Sequence, residues 1–75
     1  MAQAAEQPDV RRELLEMLMR TVEADRFPSV TMMNLIEQLL ATPDERSVYI
    51  QVLMDKIRGE RYPSLPMMRR VLALG

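Results

Sequence analysis

Cysteine, histidine and tryptophan are all absent from this 75-residue chain. Without cysteine there is no disulfide framework, no thiolate nucleophile and no sulfur-based metal site. Without histidine the commonest general base and metal ligand is missing too. Aromatic residues make up only 4% of the sequence, so Leu, Ile, Val and the eight Met must build any core. No apolar run approaches the ~20 residues that a membrane-crossing helix requires. The opening MAQAAEQPDV lacks the apolar segment of a signal peptide, and residues 1–7 read as a flexible start. A cytoplasmic protein is the expectation.

What is present is a high apolar share, 48%, in a chain long enough for one small core. The surplus points to a partner or to self-association, a homodimer included. Net charge is −1, which gives no general attraction to nucleic acid or to an anionic membrane. Residues 1–41 carry four basic and seven acidic groups, and residues 42–75 carry six and four. That is −3 against +2, a polarity suited to head-to-tail pairing. Lys56, the only lysine, is given no role.

The phrase DRFPSVTMM from Asp25 returns as ERYPSLPMM from Glu60. The offset of 35 (63 − 28, on the prolines) aligns Gln7–Leu40 with Thr42–Gly75 without a gap. Pro8/Pro43, Asp9/Asp44, Arg11/Arg46, Leu18/Leu53, Met19/Met54, Ser29/Ser64 and Leu39/Leu74 are among the identical pairs. The chain is a tandem duplication, unit one spanning 7–41 and unit two 42–75 of a single domain. The period is near that of tetratricopeptide repeats, but the Trp, Gly-Tyr and small Ala positions of that family have no counterparts. The motifs assign the chain to no family.

Each unit reads as two helices. Thr42-Pro-Asp-Glu45 is a capping box with proline in the first turn, and Gln7-Pro-Asp-Val10 is a weaker form of the same start. Tyr49, Val52, Leu53 and Ile57 form the apolar face of the third helix, with Gly59 as a stop just beyond it. Val10, Leu14, Met17, Leu18 and Val22 give the first helix the matching spacing. Ser29 and Ser64 cap the second helix of each unit, since Pro66 is tolerated only in a first turn. Met32, Leu35, Ile36, Leu39 and Leu40 make the stripe of the second helix, which should run to about Ala41. The fold class is therefore all-α: four short helices as two tandem helical hairpins, related by a two-fold axis or stacked right-handedly.

Three features are candidates for function. The Arg-aromatic-Pro-Ser connectors place Arg26 and Phe27, then Arg61 and Tyr62, between helices. Read structurally, the aromatic packs down before the cap; read functionally, arginine and aromatic anchor a partner. Met19/Met54 and Met33/Met68 recur at equivalent places, and Met19 and Met33 lie off the main stripes, as an apolar surface for another helix would. Arg69 and Arg70 form a basic pair, but the last helix is short and Asp55 and Glu60 dilute the charge around it. Few phosphates could be neutralised, which argues against nucleic acid. The serines have no histidine to activate them and the carboxylate spacing suits caps, so catalysis, cofactors, metals and small-molecule substrates are not expected. The expected role is a non-catalytic module, an adaptor, scaffold or accessory subunit, that binds another protein or itself. A small DNA-associated regulator using the last helix is the alternative.

Overall fold

The computed structural model describes residues 9–62 and 64–75. Among these residues there are four helices and no strand: α1 (Val10–Ala24), α2 (Val30–Leu39), α3 (Pro43–Gly59) and α4 (Leu65–Leu74). Local chemistry accounts for most boundaries. The Ser29 and Ser64 hydroxyls accept from the amides of Met32 and Met67, and Thr42 accepts from Glu45. At α1 the cap is Asp9, which accepts from Arg12, so this helix starts two residues later in its unit than α3 does. Gln7, at the place of Thr42, lies outside the described residues. Gly59 does not stand beyond α3 as a left-handed stop: it is the last helical residue, its φ is not positive, and Glu60 is the cap. The end of α2 also comes early, at Leu39 rather than Ala41.

Helix α1 packs on α2 and α3 on α4, which gives two hairpins, and α1 packs on α3 to join them. The core is Leu15, Met19 and Val22 of α1, Met33 and Ile36 of α2, and Tyr49, Val52 and Leu53 of α3. Each of the fully buried aliphatic side chains contributes about 1.5–3 kcal/mol by leaving water. This corrects the expected face of α1. Val10, Leu14 and Met17 are exposed, and the neighbouring stripe through Leu15 and Met19 turns inward instead. In α2, Met33 takes the buried place expected of Leu35, while Ile57 of α3 is only half-buried. Met19 and Met33 are core residues rather than parts of an exposed apolar face; Met54 and Met68 are half-buried.

Helices α1 and α3 run parallel. Glu45 at the start of α3 meets Arg11 at the start of α1, and Lys56 near the end of α3 reaches carbonyls at the end of α1. The two surfaces joined are not equivalent. Glu45, Tyr49, Val52 and Lys56 face unit one, yet their counterparts Val10, Leu14, Met17 and Thr21 face solvent. A two-fold axis would bury both sets alike. The hairpins are stacked, one behind the other.

Polar groups secure this stack. The Arg11 guanidinium donates to both Glu45 carboxylate oxygens at 2.9 Å and to the Leu39 carbonyl, closing the end of α2. Glu45 also accepts from the Ala41 amide at 3.0 Å. Its bond from Arg11, reinforced by that amide, holds its carboxyl well below the usual range, at about 2. The same bond from Glu45 raises Arg11. Among the described residues no buried side-chain polar atom lacks a partner.

Candidate functional site

Because α1 and α3 are parallel, their connectors emerge at the same end and lie side by side. Lys56 holds them there. Its ammonium donates to the backbone carbonyls of Glu23, at 2.9 Å, and of Asp25, satisfying the last turn of α1. Arg26 of the first connector meets Glu60 of the second at 3.8 Å. No sequence signal marks the part played by Lys56, since its partners are backbone atoms.

Between the connectors runs a groove of about 280 Å³. Unit one supplies Phe27, Pro28, Val30 and Met33 to it, and unit two supplies Ile57, Tyr62, Pro66 and Met67. Most of its wall is therefore apolar. The aromatics do not pack into the molecule: Phe27 is 80% and Tyr62 83% exposed. That corrects the structural reading of the connectors, in which these rings fasten the turn. Each ring instead carries an arginine over its face, Arg26 at 5.4 Å from the Phe27 centroid and Arg61 at 5.7 Å from that of Tyr62. The serines cap the following helices without help from the rings.

The charges around the groove are mainly positive. Arg26, Lys56 and Arg70 line it against the single carboxylate of Glu60. Lys56 spends its bonds on neutral carbonyls and keeps its charge uncompensated. Arg70 is held at the floor, donating to Glu37 at 2.7 Å and to Asn34 at 2.9 Å. The Tyr49 hydroxyl donates to the same Glu37 oxygen at 2.8 Å, so one carboxylate ties α2 to both helices of unit two. Burial, then this bond to Glu37, raises the Tyr49 phenol well above its ordinary range.

Arg69 and Arg70 are thus not a pair offered to a ligand. Arg69 is exposed, while Arg70 is mostly covered and ion-paired within the fold. A larger cleft of about 410 Å³ lies beside α1 and the start of α3. Both arginines in its polar wall, Arg11 and Arg12, already pair with carboxylates of the same wall, as Arg11–Glu45 and Arg12–Glu16. The connector groove has the opposite make-up, exposed apolar rings with spare positive charge. Of the sequence candidates, it gathers Arg26, Phe27, Met33, Tyr62 and Arg70 and has Arg61 beside it. Met19, Met54, Met68 and Arg69 lie elsewhere.

Among the described residues no group of three or more acidic side chains is placed to hold a metal ion. Nor is any described helix long and apolar enough to cross a membrane. No family model matches the chain, and no curated protein and no solved structure is similar to it at a significant level.

Proposed function

We propose that this protein is a small, non-catalytic interaction module whose connector groove receives an apolar segment of another protein, flanked by acidic residues. The observation that carries this reading is the exposure of Phe27 and Tyr62 on either side of one apolar groove. A ring left in water at two equivalent turns contributes nothing to the core. It is the kind of side chain that anchors an interface, as is the arginine stacked on it. At about 280 Å³ the groove falls below the ~300–1,000 Å³ typical of sites that enclose a small ligand. Bordered by exposed rings rather than enclosed, it suits a peptide better than a metabolite. With Arg26 paired to Glu60 and Arg70 to Glu37, the ammonium of Lys56, bonded only to neutral carbonyls, sets the sign of the flanks.

The engagement of Arg70 by Glu37 and Asn34 weighs against nucleic acid, since it removes half of the basic pair that the last helix would present. A displayed library of apolar peptides with acidic, neutral or basic flanks tests the proposal. Acid-flanked sequences should be enriched, and the enrichment should vanish when Phe27 and Tyr62 are both changed to Ala. Equal recovery of all three classes, or undiminished binding by the double variant, would sink it.

A further inference from the structure

We infer that the two ends of the hairpin stack are the halves of one interface, so that unit two of one chain receives unit one of a second copy. The joint between the units inside the chain is the template. On one side it presents Glu45, Tyr49, Val52 and Lys56 of α3. On the other it presents Arg11, Glu37 and the carbonyls that end α1. Shifted by 35, the first set becomes Val10, Leu14, Met17 and Thr21, on the outer face of α1. The second becomes Arg46, Leu72 and the end of α3. Each end of the molecule therefore carries the matching half of an interface already formed once within it.

The side chains at these ends are what a second copy would require. Inside the chain the joint encloses a polar triad, with Tyr49 and Arg70 both on Glu37. The corresponding positions are Leu14, Leu35 and Leu72. All three members have changed together from polar to apolar. Leu14 is 39%, Leu35 38% and Leu72 79% exposed. Leucines placed in water, where their covered counterparts are polar, invert what an isolated domain needs. In the head-to-tail contact Leu14 and Leu35 of one copy meet Leu72 of the next, and the three cover one another.

The charge distribution agrees, since unit one (−2 over residues 7–41) is acidic and unit two (+2 over residues 42–75) is basic. One strong contact is not reproduced. Val10 stands where Glu45 would pair with Arg46, so the joint between copies is weaker than the joint within one. Because unlike faces meet, nothing in the contact limits assembly to two chains; it propagates as a filament unless the rotation closes a ring. The inference is independent of the connector groove, which lies at neither face.

Light scattering and sedimentation of the full chain over a micromolar-to-millimolar range provide the test, with Leu14→Glu and Leu72→Glu as variants. The wild-type mass should climb past two chains, and each variant alone should stay monomeric where the wild type has grown. An equal mixture of the two variants should form a complex of two chains and stop, since one intact head and one intact tail remain. Val30→Glu, in the groove, should assemble as the wild type does. If Leu14→Glu loses its helical circular dichroism, Met17→Glu on the same exposed stripe replaces it. A wild-type chain monomeric throughout, a wild-type dimer that stops at two, or a variant mixture in which both fold and neither binds would each overturn the inference.

Discussion

The two tyrosines offer a direct test of the packing. Tyr49 is fully buried and donates to Glu37, whereas Tyr62 stands in solvent. Tyr49→Phe removes one hydrogen bond to a charged acceptor and leaves almost no cavity. Such bonds contribute about 1.5–3 kcal/mol. Glu37 keeps Arg70, so the lower end applies, and about 1.5 kcal/mol in a domain of this size corresponds to a Tm lower by roughly 6–12 °C. Tyr49→Ala also removes the ring, at a cost of about 3–5 kcal/mol. Total stability for such a chain is about 4–11 kcal/mol, so this variant should lose a large share of it and melt far below Tyr49→Phe. Tyr62→Phe and Tyr62→Ala should stay within ~0.5 kcal/mol of the wild type. Thermal melts followed by circular dichroism at 222 nm, with urea titrations to check a constant m-value, give all four numbers. If Tyr49→Phe melts within 2 °C of the wild type (roughly the scale of a surface change), the Tyr49–Glu37–Arg70 triad does not hold the units together. If Tyr62→Ala melts as low as Tyr49→Phe, the exposed connector is the wrong description.

Other outcomes follow from single contacts. Phe27→Ala should leave the melting temperature unchanged, and a fall comparable to that of Tyr49→Phe would restore the reading in which this ring fastens the turn. Glu45 is held at about 2 in the fold against 4.5 when free, so its contribution is complete above pH 4.5 and is lost as the pH falls toward 2. Melting temperature should drop across that window, and less steeply in Glu45→Gln, whose wild-type-like slope would refute the assignment. Gly59→Ala should stabilise by about 0.5–1 kcal/mol, because the site is helical and nothing lies within 4 Å of an added Cβ. Ala24 already fills the equivalent place in α1. Lys56→Met should destabilise by about 1 kcal/mol as the end of α1 loses its cation, measured by urea denaturation.

Signals that act over a single turn of chain were legible in the sequence. Ser29, Ser64, Thr42 and Pro66 set helix starts through contacts three residues away, and their outcome does not depend on the rest of the fold. The face of α1 was harder, because that helix carries two apolar stripes, Val10–Leu14–Met17 and Leu15–Met19–Val22, about one position apart. Periodicity alone scores them alike; only the docking of α3 decides which is covered. The core role of Met19 and Met33 was obscured for the same reason. The connectors misled in the opposite direction. An aromatic before a serine cap has the local pattern of a packed staple, but the neighbouring hairpin leaves Phe27 and Tyr62 with a groove rather than a floor. Lys56 could not be seen at all, because backbone carbonyls have no letter in the sequence.

The internal duplication lets each position be compared with its own counterpart, and the two kinds of outcome separate cleanly. Where the units meet they have diverged: Val10 against Glu45, Leu14 against Tyr49, Thr21 against Lys56, Glu37 against Leu72. Each difference follows from one copy being covered and the other not, or from what covers it. The connectors have kept arginine, an aromatic, proline and serine in both units. Capping requires the serine, and the turn uses the proline, but neither requires an exposed ring with a guanidinium laid over it. An aromatic in water adds to the hazard of non-specific association, and any polar residue would serve the turn as well. What the fold itself demands therefore stops short of Phe27, Tyr62, Arg26 and Arg61. Their presence at both turns, beside one groove, is what the proposed binding of an outside segment would account for.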